Sequence, residues 1–201
     1  MSEALALLGT SADPPTLGHQ ALLLQLLRHY PQVVTWASDN PHKTHGAPLQ
    51  RRSELLGALV QALGEPRLQQ VQGLSSPWAI TTLQRARQRW PTAELVFVVG
   101  SDLAPQIPGW RQVDAVLQHG RLAVVPRAGW PLRPEALEAL QRLGGRVEVL
   151  DLPIPASASS ALRQRPERQQ IPAAVWSLMR QHNLYGLGDQ AKATAITTST
   201  P

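Results

Sequence analysis

Residues 9–19 read Gly9-Thr10-Ser11-Ala12-Asp13-Pro14-Pro15-Thr16-Leu17-Gly18-His19. The apolar run 4–9 before this stretch predicts a short buried strand, and the leucine-rich segment 18–30 predicts a helix. A glycine near each end permits close approach to the backbone, and the free N–H groups of a helix start attract phosphate. The stretch therefore predicts a phosphate-binding turn, although an ordinary strand-to-helix turn with a histidine at the helix start fits its spacing too.

Apolar runs alternate with helix-period segments along the chain. Strands are predicted at 4–9, 32–38, 67–73, 94–101, 121–126 and 146–152, and helices at 18–30, 49–63, 76–90, 112–119, 133–143, 159–165 and 172–183. Pro77 is expected in the first turn of the third helix. Continuous apolar strands separated by amphipathic helices indicate an α/β fold with a doubly wound parallel sheet, which binds ligands at the carboxyl ends of its strands.

Length and composition place these elements in one domain, predicted to span 1–188 of the 201 residues. The polar, threonine-rich segment 189–201 is predicted to be a disordered tail. The chain has no cysteine, which excludes disulfides, zinc–thiolate sites and thiol nucleophiles. No stretch approaches the roughly 18 apolar residues of a membrane span or reads as a signal peptide, so we expect a soluble, cytoplasmic protein that does not contact membranes.

The net charge of +5 is carried almost entirely by arginines. A basic surface suits nucleic acid, but it equally suits a polyanionic small substrate such as a nucleoside triphosphate. The arginines are scattered and aromatic residues are few, and the string 85–89 with its three arginines is typical of a solvated helix face. The charge pattern therefore favours a small polyanion as ligand and no nucleic acid.

Polar residues follow three of the predicted strands. Lys43 is the only lysine before the tail, and its compact ammonium suits a point contact to phosphate, although a solvated loop lysine fits as well. Asp102 suits ribose hydroxyls or Mg²⁺ through water, with a helix N-cap as the alternative. Ser159, Ser160 and Arg163 offer donors and charge to phosphates, although an ordinary capped helix explains them too.

The stretch 9–19 resembles the signature Gly-x-(Phe/Ser)-Asp-Pro-x-(His/Thr)-x-Gly-His of the nucleotidyltransferases related to class I aminoacyl-tRNA synthetases. Within that superfamily the chain is most similar to the bacterial nicotinate-nucleotide adenylyltransferases, because further motifs recur in order at 40–43, 100–102 and 157–163. The resemblance implies a Rossmann-like nucleotidyltransferase fold. It also implies adenylyl transfer from ATP to nicotinate mononucleotide, giving deamido-NAD and pyrophosphate, with Mg²⁺ arriving with ATP.

The same resemblance implies roles for individual residues. The catalytic groups would be His19, which holds the α-phosphate, together with Thr16, Lys43 and Arg163. The ATP-binding residues would be Gly9, Thr10, Ser11, Gly18, His19, Gly100, Asp102, Ser159, Ser160 and Arg163. The acceptor would contact Trp78, Thr82 and Trp110, although both tryptophans also fit as half-buried anchors. Arg127 matches a family arginine and is expected to be structural or at the rim.

Two departures from the family pattern keep alternatives open. Thr16 stands where most nicotinate-nucleotide enzymes have a second histidine, and Ala158 replaces the first serine of the motif at 157–163. Another enzyme of the superfamily, a phosphopantetheine adenylyltransferase or a cytidylyltransferase, therefore stays open, as does a non-catalytic protein that binds nucleotides or nucleic acid. No metal cage of protein side chains is predicted, and a homo-oligomer is compatible with the sequence.

Overall fold

The computed structural model describes residues 3–41, 43–155 and 159–187. The strands are β1 Ala4–Thr10, β2 Gln32–Ala37, β3 Leu68–Gln70, β4 Glu94–Gly100, β5 Arg121–Val125 and β6 Val147–Val149. The helices are α1 Leu17–His29, α2 Leu49–Leu63, α3 Ala79–Arg89, α4 Val113–His119, α5 Pro134–Arg142, α6 Ser159–Gln164 and α7 Ala173–Gln181. The predicted tail at 189–201 lies outside the described residues.

All neighbouring strands are parallel, in the order β3-β2-β1-β4-β5-β6. The predicted doubly wound sheet is therefore confirmed. From β1 the chain winds outward through β2 to β3, then returns to β4 on the other side of β1 and continues to β6. The winding direction reverses between β1 and β4, so the carboxyl ends of these two strands flank the switch point at which such sheets bind ligands.

The central strands supply two hydrophobic cores because successive side chains point to opposite faces of a sheet. Ala6 and Leu8 of β1 pack against α1, α2 and α7 on one face. Leu5 and Leu7 of the same strand pack against α3, α4 and α5 on the other. Burial on both faces explains why these strands read as continuous apolar runs.

The structure differs from the sequence prediction at the start of α3. This helix begins at Ala79, because Trp78 has extended backbone angles (φ −113°, ψ 124°) and its N–H donates to the Ser76 hydroxyl at 3.1 Å. The prediction that Pro77 lies in the first helical turn is therefore wrong. Within the described ranges no helix is long and apolar enough to cross a bilayer.

Candidate functional site

A cleft of about 950 Å³ opens at the carboxyl ends of β1 and β4. Its wall contains every site residue predicted from the sequence: Gly9, Thr10, Ser11, Thr16, Gly18, His19, Lys43, Trp78, Thr82, Gly100, Asp102, Trp110, Ser159, Ser160 and Arg163. The segments that carry them lie far apart in the chain and meet because the loops after parallel strands converge at one edge of the sheet. A single concave site of this size suits a ligand larger than one nucleotide.

His19 lies in the first turn of α1, and Thr16 orients its ring. The backbone N–H of Thr16 donates to His19 Nδ1 at 3.1 Å, and the Thr16 hydroxyl lies 2.9 Å from the same nitrogen. Because Nδ1 accepts a hydrogen bond, the neutral ring carries its proton on Nε2. Thr16 is completely buried, and its hydroxyl contacts the His19 ring on the Nδ1 side, away from the Nε2 proton.

The environment of His19 also sets its charge. Burial lowers the pKa of His19 to about 4, and the positive charge of Arg127 adds to this shift. At neutral pH the ring is therefore uncharged and acts as a hydrogen-bond donor through Nε2.

We expect the His19 ring to stay neutral well below pH 6.5, down to its pKa of about 4. Since a histidine in the unfolded chain titrates near about 6.5, the unfolded state takes up the proton first. The stability contributed by neutral His19 is thus present above pH 6.5 and is lost as the pH falls toward about 4. NMR titration of the ring nitrogens, with His19→Ala for assignment, measures this directly. A His19 inflection near pH 6.5, or a proton on Nδ1, contradicts the arrangement.

Asp13 lies inside the phosphate loop and is completely buried. Its carboxylate accepts hydrogen bonds from the N–H groups of Gly46 (2.7 Å) and Ala47 (3.1 Å) and from the hydroxyl of Tyr185 (2.7 Å). Arg163 Nη1 lies 3.5 Å from Asp13 Oδ2. Asp13 therefore contacts three other segments, at 46–47, at Arg163 and at Tyr185, and sequence reasoning assigned it no role of its own.

Arg52 on α2 holds the same region from the other side. Its side chain is buried at 1% exposure, and its guanidinium donates to the carbonyls of Ala47 (3.1 Å), Ser11 (2.8 Å) and Ser38 (2.8 Å). One cation thus satisfies a carbonyl of the phosphate loop, one after β2 and one before α2. A buried charge of this kind is tolerated only when its donors are paired.

The residues predicted for the β- and γ-phosphates have different surroundings. Lys43 and Ser160 are exposed on the cleft wall. The Ser159 hydroxyl donates to the Pro14 carbonyl at 3.0 Å, so its single proton is already used. Arg163 is 30% exposed and is held only loosely by Asp13. Ala158, which departs from the family motif at 157–163, lies outside the described residues.

Asp102 follows β4 and pairs with Arg127, whose Nη1 donates to Oδ2 at 3.0 Å. Its other oxygen, Oδ1, is buried and has no hydrogen-bond partner in the part of the chain that the structure describes. An unpaired buried acceptor costs about 1–3 kcal/mol, so this oxygen suits a donor brought by a ligand. The helix N-cap alternative is wrong, because Leu103 takes that position before the 3-10 turn Ala104–Gly109.

Two tryptophans, Trp78 and Trp110, line the cleft. Trp110 packs edge to face on Phe97, with ring centroids 6.2 Å apart, and so it both anchors the core and lines the cleft. Trp78 is 44% exposed, and the guanidinium of Arg111 lies 5.3 Å from its ring centroid. Trp110 therefore fits the anchor interpretation, and Trp78 is a half-exposed ring that is held by Arg111.

Two predicted residues shape the wall through protein contacts. A Cβ at Gly9 would lie 2.8 Å from the ring of Trp36, so the close packing of this ring requires a glycine at position 9. Thr82 is buried, and its hydroxyl donates to the Leu74 carbonyl at 3.0 Å. Its proton therefore holds the segment before α3 in place.

No three histidine, aspartate or glutamate side chains among the described residues are grouped so that they could hold a metal ion. Mg²⁺ that is bound mainly by phosphates and water needs only one or two protein carboxylates. Among the described residues, Asp102 is the carboxylate that lines the cleft, at the mouth of β4.

Comparison with known proteins agrees with this geometry. The family model described as Cytidylyltransferase-like matches residues 7–165. A Synechocystis sp. protein named probable nicotinate-nucleotide adenylyltransferase is 38% identical over 90% of this chain and 98% of its own length. A protein of the same name from Gemmatimonas aurantiaca is 30% identical over 90% of this chain and 92% of its own length.

Solved structures extend the comparison to the fold. Plasmodium falciparum nicotinic acid mononucleotide adenylyltransferase, complexed with NaAD, matches with a TM-score of 0.74 and 14% identity over 92% of this chain and 98% of that one. The predicted Rossmann-like nucleotidyltransferase fold is thereby confirmed. By its sequence the chain belongs to the cytidylyltransferase-like nucleotidyltransferases and, within them, to the nicotinate-nucleotide adenylyltransferase family.

Proposed function

We infer that this protein transfers the adenylyl group of ATP to nicotinate mononucleotide, giving deamido-NAD and pyrophosphate, a step of NAD biosynthesis. The observation that carries this inference is the convergence of His19, the loop 9–18 and two tryptophans on one cleft. The relatives named probable nicotinate-nucleotide adenylyltransferase support the same reaction, since their alignments cover 90% of this chain. Both substrates are charged nucleotides, which favours the cytoplasm as the location.

The chemistry requires positioning and charge stabilisation rather than a general base. A 5′-phosphate oxygen of the acceptor is already ionised and attacks the α-phosphorus of ATP in line, while the bond to the β-phosphate oxygen breaks. His19 donates from Nε2 to a non-bridging α-phosphate oxygen, whose negative charge grows in the transition state. Because Thr16 fixes the ring of His19, this donor needs little reorganisation when the transition state forms.

The leaving pyrophosphate needs positive charge around it. Lys43 and Arg163 supply two cations on the cleft wall, and Ser160 adds a hydroxyl. Mg²⁺ that arrives with ATP would neutralise charge on the pyrophosphate, and Asp102 is the carboxylate on the cleft wall that would hold it or a water bound to it.

The acceptor end of the cleft suits a pyridinium ring. Trp110 and Trp78 line the cleft, and a cationic ring that stacks on a tryptophan gains cation–π attraction as well as buried area.

Pyrophosphate release tests this function. With ATP and Mg²⁺ we expect turnover when nicotinate mononucleotide is added, and the highest kcat/KM with that acceptor. Nicotinamide mononucleotide and phosphopantetheine serve as parallel acceptors. Turnover with phosphopantetheine alone would move the protein to another branch of the superfamily. Absence of turnover with all three would exclude an enzyme of this class.

A further inference from the structure

Tyr185 lies in the 3-10 turn Leu184–Gly186, more than 160 residues from the phosphate loop, yet its side chain reaches into it. Its hydroxyl donates to Asp13 Oδ1 at 2.7 Å, with a sequence separation of 172 residues. The backbone of Tyr185 has a φ of 55°, a left-handed conformation that residues other than glycine rarely adopt. The side-chain contacts therefore hold this turn in a conformation that the backbone alone does not favour.

The bonds around Asp13 are of unequal strength. Tyr185 and Ala47 share Oδ1, and Gly46 donates to Oδ2 at 2.7 Å. Arg163 Nη1 is 3.5 Å from Oδ2 and 3.4 Å from the Asp13 carbonyl, which is longer than the 2.7–2.9 Å of a strong charge-assisted bond. The short bonds satisfy the carboxylate, so Arg163 remains only weakly engaged while it lines the cleft.

Close packing joins Tyr185 to the residues that would contact phosphate. A Cβ at Gly46 would lie 2.7 Å from Arg163 Cδ and 3.2 Å from Tyr185 Cε1. The loop that carries Lys43 therefore packs directly on both side chains. A shift of Tyr185 or of Asp13 changes the position of Arg163 as well as that of this loop.

We propose that Tyr185 is a positioning residue for ATP, because its hydrogen bond to Asp13 leaves Arg163 available to the phosphates. The inference rests on the proposed function in taking Arg163 as a phosphate contact. Without the hydroxyl, Asp13 Oδ1 loses a hydrogen bond, and the less neutralised charge of the whole carboxylate draws the Arg163 guanidinium from 3.5 Å into a full ion pair at Oδ2, away from the cleft. The ring of His19 is held by Thr16, so its bond to the α-phosphate is unaffected, whereas the leaving pyrophosphate loses charge that Arg163 supplies.

The test compares Tyr185→Phe with Tyr30→Phe. Tyr30 likewise donates to a carboxylate, that of Glu148, and it lies outside the cleft wall, so it is a control for the loss of one such bond. Phenylalanine keeps the ring packing at both positions. We expect Tyr185→Phe to raise the Kd of ATP in calorimetry, and its KM, about tenfold, as for weakening of one bond to a charged group. The KM of the acceptor should change less than about threefold, while kcat should fall because Arg163 no longer faces the leaving pyrophosphate. Tyr30→Phe should leave the Kd of ATP and kcat unchanged.

Each of the other outcomes overturns the inference about Tyr185, the proposed function, or both. Wild-type Kd in Tyr185→Phe overturns the inference while leaving the proposed function intact, since that rests on turnover by the wild type. An equal rise in both variants also overturns it, because the effect would then be general destabilisation. A wild type that binds ATP but turns over no acceptor removes the proposed function and leaves the comparison of Kd values valid. A wild type that does not bind ATP overturns both.

Discussion

Replacing His19 with alanine is expected to lower kcat at least about 100-fold, the usual cost of removing one fixed donor to a developing charge. The reason is geometric: two bonds from Thr16 fix the ring, so the Nε2 proton is aimed before the substrate arrives. Water that enters the space left by the side chain lacks this fixed direction. Steady-state kinetics with ATP and nicotinate mononucleotide measure the effect.

His29→Ala is the matched control for this variant. His29 lies on the same helix and is exposed at its last turn, away from the cleft. The His29→Ala variant should therefore retain wild-type kcat. If His19→Ala changed only KM, His19 would bind phosphate equally in the ground state and the transition state, and the proposed stabilisation would be refuted.

Arg52→Met is expected to lower the free energy of unfolding by about 3–5 kcal/mol, the range for breaking a buried charge network by removing one partner. Methionine fills a similar volume but leaves the carbonyls of Ser11, Ser38 and Ala47 without their donor. The buried charge of Asp13 also loses a nearby cation. For a chain of this length the melting temperature should fall by roughly 10 °C.

The neighbouring residue supplies the control. Arg51 is 40% exposed and pairs with Glu54, which is 36% exposed, at 2.6 Å. A surface pair of this kind contributes about 0–1 kcal/mol, so Arg51→Met should unfold close to the wild type in denaturant and on heating. Equal, small losses in the two variants would contradict the structural role assigned to Arg52.

The sheet and the cleft wall were predictable because they depend on local patterns. Continuous apolar runs such as 95–99 identify buried parallel strands, and the topology of such a sheet then brings the loops at 9–19, 40–45 and 100–102 together. The start of α3 was not predictable from the Ser-Pro pair. A bond from the Trp78 N–H to Ser76 competes with the helix there, and propensity alone does not include it.

Of the residues around Asp13, Arg52 could be recognised from the sequence and Tyr185 could not. Arg52 stands three and seven residues before Leu55 and Leu59, on the apolar face of α2, where an arginine has to find buried partners. Tyr185 gives no comparable signal, since its partner lies 172 residues away and its left-handed turn has no glycine at that position. Contacts of such sequence separation follow from packing, and local sequence patterns do not encode them.

Direct, in-line transfer of the adenylyl group is the central claim, and the fate of the α-phosphorus tests it most directly. One diastereomer of ATP with sulfur at the α-phosphorus would be incubated with the protein, Mg²⁺ and nicotinate mononucleotide, and the products analysed by mass spectrometry and ³¹P NMR. We predict that the sulfur appears in the dinucleotide and that the configuration at this phosphorus is inverted, as a single displacement requires. Sulfur in the released phosphates, or retention of configuration, would contradict the mechanism.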